Sequence, residues 1–261
     1  MIGKNIIVCG GCIFILAALV FYVQNIDKNE EQKINISGEQ YLFSNKSLPK
    51  DLNVLDMAVG DVDNDFIEEV LILSREDNSK YGKDFIIYKP VIRDNRVYLH
   101  KEYAADLSQI KPWKIEICEI DGDGYKEIFM GVYKTTVFYP EEENRPFFFS
   151  YKDKKLIKKW TGSKVRNPFI DVCFADINLN GIDEFIVVER NQKGNHIVAA
   201  YYWHGFGFIL LAESGPFDEI VEIDSLTMEE KEYIEIIVNQ NGIQEKIILQ
   251  LKNQALKEKG G

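Results

Sequence analysis

Large apolar residues alternate with smaller or polar ones in three short runs. Leu55, Met57 and Val59 alternate with Asp56 and Ala58; Trp113, Ile115 and Ile117 with Lys114 and Glu116; Ile170, Val172 and Phe174 with Asp171 and Cys173. A period of two predicts strands rather than helices. Beyond each run, after a short gap, comes a nearly unbroken apolar stretch: Val70–Leu73, Ile128–Val132 and Phe185–Val188. Such β-rich stretches suit strands buried on both faces. Two further strands follow in each repeat. The first repeat gives 84–88 and 97–103, the second 147–151 and 156–160, the third 197–203 and 208–212, each pair joined by a turn. Four hairpin-connected strands describe the blade of a β-propeller.

The gap between the first and second strands is the same kind of loop each time. It reads Asp61-Val62-Asp63-Asn64-Asp65-Phe66-Ile67-Glu68-Glu69, then Glu119-Ile120-Asp121-Gly122-Asp123-Gly124-Tyr125-Lys126-Glu127, then Asp176-Ile177-Asn178-Leu179-Asn180-Gly181-Ile182-Asp183-Glu184. The first positions lie 58 and 57 residues apart. A fixed period carrying the same loop marks a repeat architecture. A fourth, degenerate repeat is expected from Phe217–Asp224, Tyr233–Val238 and Lys246–Leu251, announced by Pro216-Phe217 as Pro112-Trp113 and Pro168-Phe169 announce two others. Its loop, 225–232, lacks the acidic spacing and is expected to hold no metal. This repeat supplies only three strands, so 40–43 is expected to pair as its outer strand and close a ring, which removes a sheet edge. The expected organisation is all-β: a propeller of about four blades over 38–255, with an open arc as the alternative, a C-terminal tail at 256–261, and an N-terminal transmembrane helix.

Alternating carboxylates on a tight loop converge on one hard cation, and oxygen donors at this density suit calcium better than zinc or copper. Glycine stands at the sixth position in two of the loops, where a left-handed conformation is expected; Phe66 stands there in the first. An EF-hand is excluded, because its twelfth position needs a bidentate glutamate and here holds Ile72, Met130 or Val187. Plain Asx-type turns without an ion are the competing reading.

The triple Asp-x-Asp-x-Asp-Gly-like spacing between strands resembles that of FG-GAP and VCBS repeats, as in integrin α-subunit propellers and bacterial surface proteins. The resemblance covers most of the chain after residue 38. It implies structural calcium, Ca2+, bound through the first, third, fifth and ninth positions with one backbone carbonyl. Carried onto this sequence, those are Asp61, Asp63, Asp65 and Glu69; Glu119, Asp121, Asp123 and Glu127; Asp176, Asn178, Asn180 and Glu184. Phe66, Glu119 and the two asparagines depart from the pattern, and the blade count is lower than the family usually shows.

Residues 6–23 form eighteen consecutive apolar or small residues, preceded by Lys4 and followed by Asp27, Glu30 and Glu31. That length nearly spans a bilayer core, and the charge bias places the amino terminus inside. The expectation is a signal anchor at 1–23, a polar tether at 24–37 and the repeats outside the cell membrane. Cleavage as a signal peptide and lipidation at Cys12 are the weaker alternatives. Net charge of −11 leaves no basic stripe for nucleic acid. Of the four cysteines, Cys9 and Cys12 lie in the apolar run, while Cys118 and Cys173 lie on strands and are expected as buried free thiols rather than a disulfide.

None of His100, His196 and His204 stands in a nucleophile or metal motif. Two stretches stand out as surfaces: Tyr201–Phe208, a turn rich in aromatics around His204, and Thr135–Arg145, a long connection holding Pro140 and Glu141-Glu142-Glu143. Two function classes stay open. One is a membrane-anchored extracytoplasmic binding or adhesion module, not an enzyme, for an unidentified protein or glycan ligand. The other is a polysaccharide lyase or hydrolase using the propeller funnel, for which Asp56, Lys114 and Asp171 share one place on the first strands.

Overall fold

The computed structural model describes residues 31–36, 39–44, 48, 52–240 and 242–260. The expected anchor at 6–23 lies outside the described residues, and no helix among the described residues is long and apolar enough to cross a membrane.

The described chain is all-β apart from one 3-10 turn at Ser108–Ile110. Four antiparallel meanders follow one another as four propeller-type blades. The first contains β3 (Val54–Gly60), β4 (Glu69–Ser74), β5 (Asp84–Arg93) and β6 (Arg96–Asp106); the second β7 (Pro112–Cys118), β8 (Glu127–Lys134), β9 (Glu143–Lys152) and β10 (Lys155–Thr161). The third contains β11 (Phe169–Ala175), β12 (Glu184–Arg190), β13 (His196–Trp203) and β14 (Phe208–Glu213). The fourth contains β15 (Glu219–Met228), β16 (Lys231–Gln240), β17 (Ile243–Lys252) and β18 (Ala255–Glu258), and within each of these four-strand blades sequence neighbours are hydrogen-bonded neighbours. The unbroken apolar runs become β4, β8 and β12, the second strands, and their apolar residues are buried on both faces.

Two expectations are corrected at the ends. Residues 39–44 form β2, which pairs with a preceding strand β1 (Glu31–Ile36) and lies parallel to β6, with Leu42 opposite Arg96 and Phe43 opposite Val97. The 40–43 segment therefore extends the first sheet and does not complete the last. The last sheet supplies its own outer strand, β18, which begins at the last residue of the expected propeller and runs into the expected tail, while β1 lies inside the expected tether. The expected loop at 225–232 is also mostly strand. β15 and β16 run on to Met228 and Lys231 and are closed by Glu229 and Glu230, both at positive φ, as a two-residue primed turn requires.

The described residues divide into two compact units, those up to 115 with 151–155 and those of 116–150 with 156–260. In the first, Val70, Ile72, Ile86, Tyr88, Val97 and Leu99 form a buried cluster against Met57 and Val59. In the second, an aliphatic core joins the third and fourth sheets through residues such as Ile186, Val198, Ile223, Ile236 and Leu249. An aromatic core there contains Phe129, Phe148, Phe174 and Phe185, with ring centroids 5.3–5.9 Å apart. Cys118 and Cys173 are buried and form no disulfide, and burial pushes the Cys118 pKa well up.

Candidate metal centres

Each acidic loop joins a first strand to a second: β3 to β4, β7 to β8, β11 to β12. The ninth position is the first residue of the second strand, so Glu69, Glu127 and Glu184 are carried into the interior. The second position is apolar each time, and Val62, Ile120 and Ile177 plug the loop base. Their backbone N–H groups donate to the glutamate carboxylates at 3.0, 3.2 and 3.1 Å. That bond folds the loop back on itself. The fifth-position side chain caps the seventh-position N–H in all three loops: Asp65 to Ile67 at 3.0 Å, Asp123 to Tyr125 at 2.8 Å, Asn180 to Ile182 at 2.9 Å. In the first and third loops the leading aspartate accepts from the fifth and sixth N–H groups: Asp61 from Asp65 and Phe66, Asp176 from Asn180 and Gly181. Glu119, one methylene longer, accepts instead from Gly122 at 2.8 Å.

Backbone conformation repeats as closely. The sixth position is left-handed throughout, at φ +67° for Phe66, +80° for Gly124 and +84° for Gly181. The fourth is left-handed too: Asn64 at +62°, Gly122 at +75°, Leu179 at +61°. Only the sixth was anticipated from sequence, because asparagine and leucine hide the fourth.

The first two loops assemble acidic clusters that could hold a metal ion. Oxygen atoms of Asp61, Asp63 and Glu69, and of Glu119, Asp121 and Glu127, all lie within 4.8 Å of one another. Asp65 and Asp123 fall outside these triads. The third loop brings together no such triad: Asn178 and Asn180 replace two acids, and the Asn178 amide donates to Glu184. Asp183, beside Glu184, instead ties the third loop to the second. Its Oδ2 accepts the Glu119 N–H at 2.8 Å and its own N–H donates to the Glu119 carbonyl at 2.7 Å.

Burial drives the pKa of Glu69, Glu127 and Glu184 up to about 7, and that of Asp183 up to about 6. For Glu69 and Glu127 a lysine works against the rise. Lys89 Nζ, from β5, stands 2.5 Å from Asp65, 2.9 Å from Asp63 and 2.9 Å from Glu69. Lys159 Nζ, from β10, stands 2.5 Å from both Asp121 and Glu127. Burial disfavours each ammonium, but the carboxylates outweigh it and hold both lysine pKa values above the ordinary. The Lys89–Glu69 contact is a close ion pair onto a fully buried carboxylate. Asp63 Oδ1 is buried without a hydrogen-bond donor. An open carboxylate oxygen beside two other acids fits a hard cation.

The sequence has no match among models of known protein families, and no curated protein matches it.

The other stretches resolve differently. In Tyr201–Phe208, Trp203 and Phe208 join the aromatic core, with Phe208 5.1 Å from Phe148. Tyr202, His204 and Phe206 form a separate edge-to-face row at 6.3 and 6.1 Å, with Phe206 82% exposed at the turn tip. In the 135–145 connection, Arg145 is fully buried and donates to the carbonyls of Lys134, Glu141 and Ser163. Asp56 accepts the N–H groups of Met57 and Ile115 at 2.9 and 2.7 Å, which gives it a structural task. Glu189, which the sequence did not single out, is buried with Tyr201, Asn167 and Arg166 on its two oxygens. His196 Nδ1 accepts the Ile220 N–H at 2.8 Å and fastens β15 to the third sheet.

Proposed function

We propose that the chain is a membrane-anchored extracytoplasmic binding module of the FG-GAP/VCBS type, with acidic loops that take calcium as structural cement. The observation that carries the binding reading is the Tyr202–His204–Phe206 row. It stands on a hairpin whose neighbouring rings, Trp203 and Phe208, are locked in the core. Exposed aromatic faces on a rigid support lose little entropy on meeting a ligand, and a pyranose ring or an apolar protein side chain stacks on them. Calcium is the ion the donor chemistry favours: carboxylate oxygens from three side chains in each of the first two loops suit an ion that takes roughly six to eight oxygens. Residues 6–23 supply the anchor and Lys4 its orientation.

The test has two arms. External protease on intact cells should remove the domain and spare an N-terminal stub; protection of residues 38–261 contradicts the location. The full chain should bind a panel of immobilised polysaccharides and surface proteins, and Phe206→Ala with His204→Ala should abolish capture without changing the melting temperature. Capture that survives both substitutions contradicts the assigned surface.

A further inference from the structure

We propose that Lys89 and Lys159 hold the cation seats of the first two loops as tethered ammonium groups, so that a divalent ion enters only by displacing them. The inference rests on the calcium reading of those loops and concerns what fills them in its absence.

Four observations converge. First, both ammonium groups meet the third- and ninth-position carboxylates of their loop, Asp63 with Glu69 and Asp121 with Glu127. Second, both are shielded, with side-chain exposure of 14% and 17%. Third, they arrive from non-equivalent places. Lys89 comes from β5, the third strand of its blade, and Lys159 from β10, the fourth. The two lysines thus occupy no common column of the repeat, yet their ammonium groups reach equivalent carboxylates. Fourth, the third loop shows the converse. Its third position is Asn178, whose amide itself donates to Glu184. Where the third position is an acid, a lysine faces it; where it is an amide, the loop closes without one.

The physical reason is charge balance. Two or three carboxylates brought together beside a buried glutamate repel one another, and each is partly stripped of water. A single ammonium within hydrogen-bonding reach offsets that repulsion, and its four-carbon stem permits withdrawal. A divalent ion offers more charge but needs the same oxygens. Its apparent affinity is therefore reduced by the fraction of molecules whose lysine has swung out. The first two loops are thus exchangeable seats rather than obligate metal sites.

The experiment is calcium titration of the full chain by calorimetry, with melting in chelator and in calcium as a second readout. Lys159→Met and Lys89→Met should each tighten calcium binding by at least about tenfold, about 1.4 kcal/mol. Each should lower the melting temperature in chelator and recover it in calcium. Lys159→Gln, which keeps a hydrogen-bond donor and loses the charge, should give the same gain should the methionine variant fail to fold. Adding Asp121→Asn to Lys159→Met should remove the gain. Lysine variants that bind calcium no more tightly than the parent, and melt with it in chelator, overturn the inference. A parent indifferent to calcium beside a responsive Lys159→Met variant upholds the lysine seat and removes calcium from the native chain. A responsive parent with unresponsive lysine variants does the reverse.

Discussion

At Phe66 the repeat's geometry and its sequence disagree, and replacing it gives a quantitative prediction. It sits at φ +67°, where Gly124 and Gly181 stand in the other loops. A side chain in the left-handed region costs about 1–2 kcal/mol. Glycine returns about 0.4–1 kcal/mol of this through the extra freedom of the unfolded chain. Phe66 is 84% exposed, so little apolar burial is lost with the ring. Its N–H, which donates to Asp61 at 2.8 Å, is kept. Phe66→Gly should therefore stabilise the protein by about 0.5–1 kcal/mol, a rise of roughly 2–4 °C in melting temperature for each kcal/mol. The reverse change is cleaner. Gly124 has φ +80° and open space where a Cβ would stand, so Gly124→Ala adds conformational strain and no clash. It should cost about 1 kcal/mol. Thermal melts followed by circular dichroism, in chelator so that metal does not intervene, read both. A destabilised Phe66→Gly together with a neutral Gly124→Ala would refute the claim that the sixth position sets the loop.

Arg145→Met should cost about 3 kcal/mol, read by urea unfolding, because three carbonyls lose the buried guanidinium that bridges them. For His196, burial lowers the folded pKa below its ordinary value of 6.5. The neutral ring is favoured in the folded state, so its contribution is complete above that value and is lost as pH falls through it toward the folded pKa. Between about pH 7.5 and pH 5.5 the parent should lose stability relative to His196→Asn, and parallel pH curves for the two would count against it. Deleting residues 255–261 removes buried Leu256 and strips β17 of its outer neighbour, so the truncated chain should melt lower and aggregate on size-exclusion chromatography.

Strand positions within the first three blades were legible because burial on both faces leaves a mark in sequence. Val70–Leu73 and Phe185–Val188 carry no polar residue to confuse the reading. The edges were not legible, for a related reason. β18, Ala-Leu-Lys-Glu, is a solvated edge strand and buries little beyond Leu256. The β15–β16 hairpin turns on Glu229-Glu230, a pair that carries no turn signal and is held at positive φ by the pairing around it. Residues 40–43 do read as strand, but a strand's sequence does not name its partner, and the parallel pairing to β6 was missed for that reason. At the loops, the acidic spacing exposed the carboxylates and the glycines exposed the sixth position. The plugs at Val62, Ile120 and Ile177 were visible in the aligned loops as one apolar column. Lys89 and Lys159 had no such column, because they come from different strands and meet equivalent carboxylates only in three dimensions.

The first two loops assemble acidic clusters that could hold a metal ion, and the third assembles no acidic triad. Equilibrium dialysis of the full chain against about 1 mM calcium, the range of weak extracellular modules, measures this directly. Saturable uptake should reach no more than two ions per chain, fall by one with Asp63→Asn or Asp121→Asn, and vanish with both, while Asn178→Ala leaves it unchanged. No uptake by the parent, or uptake that persists when both aspartates are gone, would contradict the assignment of these loops as calcium sites.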